Sequence, residues 1–315
     1  MAHVVLQMAQ SKINEMKTYY HASLSPSSPP GSAFSAKTTA CTITAYNSGK
    51  VLFQGKNAEA EAGRWGTAAS KPKMTEKKGN TVKNHAYSPP ADIGQMSVIG
   101  SDEVGTGDYF GPITVAAVYA DRQSIPLLKE LGVKDSKHLK DPQILQIAAE
   151  LKHAVPFVLL SLDNDRYNKM QAKGMSQGKM KAYLHNIAIT KLLEKIQPRK
   201  PEAVLIDQFA KPDVFFGYLK GQEMFQADPI YLSTGAESIH VSVAAASILA
   251  RAAFVKKFEA LSSEAGFTIP KGAGPAVDLA AAKLIEKKGL ESLATFTKLH
   301  FANTEKAKRL LGKKR

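Results

Sequence analysis

The residues most suited to chemistry lie in Ser97-Val-Ile-Gly-Ser-Asp102-Glu103-Val-Gly105-Thr106-Gly107-Asp108-Tyr-Phe-Gly111-Pro112, where an apolar strand runs into two adjacent acids and a glycine loop. Like charges at that range repel and raise each other's pKa unless a cation compensates, and a divalent metal is the natural compensator. Asp207 closes a second apolar run, Ala203-Val-Leu-Ile206, and sites form at strand termini in α/β sheets. Glu237 precedes the Ala-rich run Val243-Ala-Ala-Ala-Ser247-Ile-Leu-Ala-Arg251, where an acid also complements a helix dipole and by itself says little. Together, acids from separate strand ends and a helix start could surround one or two Mg2+ ions. Two ions about 3.5 to 4 Å apart stabilise both attacking and leaving oxygens in phosphodiester hydrolysis. Neighbours on an ideal strand point to opposite faces, so Asp102 and Glu103 share a metal site only if the strand bends, as Gly105 and Gly107 would permit.

Other chemistries fit less well. Gly105-x-Gly107 leads to Gly111-Pro112 and a further strand, not to a helix N-terminus that could hold pyrophosphate, and no Walker A string occurs. A phosphotransferase would need a triphosphate cradle, which is missing. Ser176-Gln-Gly-Lys179 lacks the partner motifs of penicillin-recognising enzymes. Cys41 is expected to pack in a strand and Asp108 to cap a turn. His240 reads as an ordinary helix histidine, and His185 and His300 have no zinc-like spacing to acids.

The elements that must position these acids follow from the pattern. The chain has 315 residues, 44% apolar, with one cysteine, so it can bury a core, cannot form an internal disulfide, and is expected in the reducing cytoplasm. The amino terminus lacks a basic flank and cleavage site, and no apolar window is long enough to span a membrane. The net charge of +14 suggests a polyanionic partner, nucleic acid first. Residues 1–93 carry 11 basic against 5 acidic side chains, residues 94–300 carry 25 against 22, and residues 301–315 carry 6 against 1. Basic ends around a balanced core read as arms that hold a polyanion, with a solvated surface as the bland alternative.

Three parts are expected: an α+β module over 1–66, a flexible linker over 67–93 rich in Lys, Ser, Gly and Pro, and a catalytic part over 94–315 with a basic tail. In the module, Leu6 to Tyr20 has helical spacing, Thr42–Tyr46 and Val51–Phe53 suit a hairpin, and Asn57–Trp65 suits a second helix. One sheet face would then be free for a partner. In the core, strands are expected at Val98, Ile113–Tyr119, Val155–Leu162 and Ala203–Ile206, with helices at 143–152, 179–196, 214–219, 238–260, 276–287 and 303–311. This alternation indicates a sheet flanked by helices.

The string Gly100-Ser-Asp102-Glu103-Val-Gly105-Thr-Gly107 with Gly111-Pro112, then Val133-Lys-Asp135-Ser136-Lys137, Ile206-Asp207, Ala236-Glu237 and Ala244-Ala-Ala-Ser247-Ile, resembles the type 2 ribonucleases H. A glutamate as the fourth carboxylate, Thr106 between the glycines and the N-terminal extension are marks of the HIII branch. The resemblance implies an α/β, RNase H-like catalytic domain with a mixed central sheet flanked by helices, and an N-terminal domain resembling the TATA-binding-protein fold. It implies an endoribonuclease that cuts the RNA strand of RNA/DNA hybrids with Mg2+ or Mn2+, leaving 5′-phosphate and 3′-hydroxyl ends. Asp102, Glu103, Asp207 and Glu237 fall on its metal-binding carboxylates. Gly105, Thr106 and Gly107 fall on a loop against the RNA backbone and its 2′-hydroxyls, and Ser136 and Lys137 on a phosphate-contacting segment. Thr106 replaces a basic residue of the sister branch, so cutting at a lone embedded ribonucleotide is not implied. The N-terminal module is implied to grip the hybrid, with a monomer and no obligate protein partner expected. The competing reading is a non-catalytic nucleic-acid-binding or architectural protein in which the acids serve as caps.

Overall fold

The computed structural model describes residues 3–26, 28–29, 31–66, 85–134, 136 and 139–312. Two compact units emerge: Met1–Lys83 with Gln123–Gly132 and Ala149–Val155, and Asn84–Arg122 with Val133–Ala148 and Pro156–Arg315. Much of the expected linker, residues 67–84, lies outside the described residues.

The first unit is built on an antiparallel sheet of β1 (His3–Gln7), β2 (Ser32–Lys37), β3 (Thr42–Tyr46) and β4 (Lys50–Gln54), in the order β1-β4-β3-β2. Helices α1 (Gln10–Tyr19) and α2 (Ala58–Gly63) supply Ile13, Met16, Ala58 and Ala62 to a core shared with Phe34, Ile43 and Phe53. The expected β3–β4 hairpin forms around Gly49 at φ +89. The reading of Leu6 to Tyr20 as one helix is corrected, because residues up to Gln7 pair with β4 from His3↔Gln54 to Gln7↔Lys50 and only then does α1 begin. The second sheet face, expected to be open, is covered. Thr44 and Leu52 are 4% and 3% exposed, and Lys50 pairs at 3.1 Å with Glu150. Glu150 lies on α4 (Asp141–Ala154), which follows α3 (Ile125–Glu130) in the chain.

The second unit holds a mixed five-stranded sheet: β5 (Val98–Val104), β6 (Ile113–Ala120), β7 (Phe157–Leu162), β8 (Ala203–Asp207) and β9 (Ile230–Ser233), in the order β7-β6-β5-β8-β9. β5, β8 and β9 run parallel, while β5, β6 and β7 are antiparallel neighbours. Helix α5 (Asn164–Ala172) precedes α6 (Gln177–Ile196), which buries Ile189, Leu192 and Ile196 against Ile99, Val115, Val204 and Ile206 on one sheet face. After α7 (Pro212–Leu219), the long α8 (Val241–Ala265) covers the other face with Val243 against Val98 and Leu205. Gly100 makes that approach possible, since a Cβ there would sit 2.3 Å from the Val243 backbone nitrogen. Helices α9 (Pro275–Lys288), α10 (Leu293–Phe296) and α11 (Asn303–Gly312) close a third cluster with Tyr109, Phe110 and Phe254.

The expected sheet flanked by helices is present, with three local differences. α8 begins at Val241, not Ser238, because Ala236–Ser238 form a 3-10 turn and the His240 ring caps the helix by accepting from the Ser242 N–H. β9, α3 and α5 were not anticipated. Residues 85–93 are packed: His85 Nε2 lies 3.1 Å from Gln208 Oε1, Leu232 N donates to Tyr87 O, and Ile93 is buried. Among the described residues, no helix is long and apolar enough to cross a membrane.

Candidate active site

The acids stand where the central strands end. β5 pairs with β8 from Val98↔Ala203 to Ser101↔Ile206, which sets Asp102 beside Asp207, and Asp207 is in register with Ser233 of β9. β5 carries no bulge at the acidic pair, for its register with β6 is unbroken from Val98↔Ala120 to Val104↔Thr114. Strand alternation therefore holds through Asp102 and Glu103, and the two carboxylates leave opposite faces.

Asp102 faces α8. It is 7% exposed, and its neighbours include the Ser247 hydroxyl on that helix. Burial, then the charges of Asp207 and Glu103, raise its pKa well above the usual carboxylate range, against the pull of Ser247 and the Glu103 N–H. Asp207 accepts from Ala236 N at 2.8 Å, which ties the β8 end to the turn bearing Glu237. Gly235, at φ +68, sets up that turn in a backbone region that costs glycine little. Glu237 accepts from the backbone N and hydroxyl of Ser136, both at 3.4 Å, and the Ser136 and Ser247 hydroxyls are 2.9 Å apart. Hydroxyls on α8 and on the Ser136 segment thus connect Asp102 with Glu237. Arg251, one turn beyond Ser247, fixes the Ser136 segment by donating to Ser136 O at 2.6 Å and to Asp141 at 2.8 Å.

Glu103 faces α6. Its carboxylate accepts from Lys181 Nζ at 2.8 Å and lies 3.0 Å from His185 Nε2, while His185 Nδ1 is 2.6 Å from the Ser101 hydroxyl. Burial alone would push Glu103 up, but His185 and Lys181 outweigh it and hold the pKa below normal. Phe209, two residues past Asp207, lies 4.0 Å under Lys181 Nζ and stacks on His185. Asp102, Asp207 and Glu237 are thus linked on the α8 side, and the Glu103 carboxylate, whose charge still acts on Asp102, has Lys181 and His185 against it.

The remaining candidates divide as follows. Gly105, at φ +97, turns the chain so tightly that a Cβ would meet Pro112 O at 2.2 Å, and an added Cβ at exposed Gly107 would meet nothing within 4 Å. Thr106 lies between them, its carbonyl accepting from Gln177 Nε2 at 3.2 Å. Ser136 is buried and engaged by Glu237, not presented on an open surface. Lys137 lies outside the described residues. Lys181 and Arg251 were missed by the sequence reading, and Ser247 was quoted without a role. The signal for Lys181 and His185 was their four-residue spacing within a helix whose core face is otherwise mostly apolar.

Among the described residues, no three His, Cys, Asp or Glu side chains form a ready cage for a metal. The donor set still fits a hard divalent cation by chemistry: it is all oxygen, and burial, then the charges of Asp207 and Glu103, raise the Asp102 pKa. The Ser233 hydroxyl, level with Asp207, is buried with no hydrogen-bond partner among the described residues, a further oxygen left unsatisfied beside the acids.

The chain is similar to known proteins along its whole length. The family model for ribonuclease HII matches residues 99–304, and a model described as a domain of unknown function matches residues 3–78. Ribonuclease HIII of Bacillus subtilis (strain 168) is 60% identical over 315 residues, covering all of both chains. Ribonuclease HIII of Bacillus velezensis is 61% identical over 316 residues, again covering both in full. The crystal structure of Bst-RNase HIII in complex with Mn2+ matches at TM-score 0.69 and 47% identity, covering 100% of each chain.

Proposed function

The chain belongs to the ribonuclease HII family, with ribonuclease HIII relatives along its whole length, and on that premise we propose that it is an endoribonuclease hydrolysing the RNA strand of RNA/DNA hybrids. The observation that carries this reading is that the ends of β5 and β8 set buried Asp102 beside Asp207, with Glu237 joined to them through Ala236 N and the Ser136 and Ser247 hydroxyls. Such a site is completed by Mg2+ or Mn2+, and the crystallised Mn2+ complex of Bst-RNase HIII supports that choice. Asp102, Asp207 and Glu237 would hold the metal. A bound divalent ion supplies positive charge for the attacking water and the departing 3′ oxygen.

The chain's own residues do the positioning. Ser247 and Ser136 orient Asp102 and Glu237, and Ala236 N fixes Asp207. Glu103 adds charge beside Asp102 while Lys181 and His185 hold its carboxylate, which would share its remaining lone pairs with a metal. Gly105, Thr106 and Gly107 offer backbone to the RNA strand, whose 2′-hydroxyls distinguish it from DNA without base readout. Lys137 is assigned to a phosphate, and residues 1–66 to additional grip through exposed Lys17, Lys37 and Lys56. Cleavage is then nearly independent of sequence and leaves 5′-phosphate and 3′-hydroxyl ends. We also read the protein as a monomer working in the cytoplasm, the lone buried Cys41 supporting a reducing setting.

The test is cleavage of an end-labelled RNA strand in a hybrid, in single-stranded form and in duplex RNA. Cutting confined to the hybrid, dependent on Mg2+ or Mn2+ and lost in Asp207→Asn, is expected. Cutting that persists in chelator, or none in the hybrid, contradicts the assignment.

A further inference from the structure

Lys298 is fully buried, between α10 and α11. Its partners are carbonyls: Nζ donates to Asp108 O at 2.7 Å and to Gly111 O at 2.5 Å, and its backbone N donates to Tyr109 O at 2.9 Å. Burial, only partly opposed by the charge of Asp108, lowers its pKa to about 7. A methionine would fill similar space without the desolvation cost of an ammonium, so packing alone does not account for a lysine here. What the lysine adds is a pair of donors aimed at the loop that follows the acids.

The back of that loop is held at several points. Gln177 Nε2 donates to Thr106 O at 3.2 Å and to the Tyr167 hydroxyl at 3.2 Å. Asp108 Oδ1 accepts from Gly272 N at 2.6 Å, and Asn164 Nδ2 donates to Gly111 O at 3.0 Å. The exposed edge at Gly107 has open space in front of it.

We propose that Lys298 and Gln177 are positioning residues that lock the Gly105–Gly111 loop from behind, so that its Thr106–Gly107 edge meets the RNA strand at a fixed distance from Asp102. The assignment rests on the hybrid-cleavage reading and deepens it: loop rigidity, set from outside the site, decides how well a hybrid is told from duplex DNA. Small misplacements of a recognition element by remote substitutions cost up to about 100-fold in rate or binding, and supporting residues prevent them.

The experiment compares the full-length protein with Lys298→Met and Gln177→Leu. It reads kcat and KM on a hybrid, the affinity for hybrid and for DNA duplex of the same sequence in an Asp207→Asn background, and hydrogen exchange of amides 106–111. Expected for Lys298→Met is a KM raised about tenfold with a smaller change in kcat, a hybrid preference reduced by a similar factor, and faster loop exchange at an undiminished melting temperature. Gln177→Leu should shift the same quantities in the same direction by less, and it carries the test if Lys298→Met does not fold. Wild-type KM, preference and loop exchange in both variants would overturn the proposal. If the unmodified protein cleaves no hybrid, the function assignment falls, and loop exchange with hybrid preference still judges the lock.

Discussion

Two faces of one strand meet at Asp102 and Glu103, and they treat adjacent carboxylates in opposite ways. Toward α8, Asp102 shares its surroundings with Asp207, and its pKa is driven up. Toward α6, Glu103 has Lys181 and His185 within hydrogen-bond distance, and its pKa is driven down. Glu103 has two basic side chains against it, whereas Asp102 has the Ser247 hydroxyl and the Glu103 backbone N–H beside it. Environments that push neighbouring acids apart mark a division of labour, with the side where the carboxylate pKa is raised as the place for an external cation.

The largest effect expected from breaking this contrast is on turnover. Asp102→Asn or Asp207→Asn should lower kcat on the order of 10^4-fold. Asp102→Asn should also raise the urea midpoint of the metal-free protein, because it removes a buried charge repelled by Asp207 and Glu103. A lowered midpoint would mean that Asp102 is compensated after all. On the other face, Lys181→Met leaves Glu103, which is 9% exposed, with His185 as its remaining basic partner and should cost about 2 kcal/mol in urea unfolding. An unchanged midpoint would reduce the Lys181 contact to an incidental one. Ser247→Ala removes the hydroxyl shared by Asp102 and Ser136 and should cost about 1 kcal/mol, with hybrid cleavage slowed more than hybrid binding.

The smallest effect concerns pH and sharpens the comparison by showing a cation buried away from any carboxylate partner. Lys298 has a folded pKa of about 7, well below the unfolded value of about 10.4, so between these the unfolded chain binds more protons and stability rises with pH. Asp108 and His300 are the titratable groups coupled to it, and the lysine in turn lowers the His300 pKa. Unfolding followed from pH 7 to 9.5 should show a steeper rise in stability for the unmodified protein than for Lys298→Met. Parallel curves would place the lysine's pKa near its ordinary value.

The candidate acids stood out in the sequence because they are local events: apolar runs ending in Asp102 and Asp207, and an acid before a long alanine-rich stretch. Fold class followed from the same runs and from the helical periods between them. β1 was not separable from α1, because Val4, Val5 and Leu6 lead into Ile13 and Met16 without a strong breaker. α5 was hidden because Asn164–Ala172 is largely polar and shows no apolar stripe. The contrast between Asp102 and Glu103 was half readable: strand alternation predicts opposite faces, but Gly105 and Gly107 suggested a bend, and β5 pairs with β6 past both acids without a bulge. Lys298 carried no signal at all, since its partner Gly111 lies 187 residues away and only tertiary packing makes the lysine a buried donor.

The most direct measurement of the central claim is calorimetric Mn2+ binding to the unmodified protein, Asp102→Asn and Glu103→Gln. Asp102→Asn should weaken binding at least about tenfold more than Glu103→Gln, since the Glu103 carboxylate already has Lys181 and His185 within hydrogen-bond distance. Equal losses in the two variants, or no Mn2+ binding by the unmodified protein, would contradict the account.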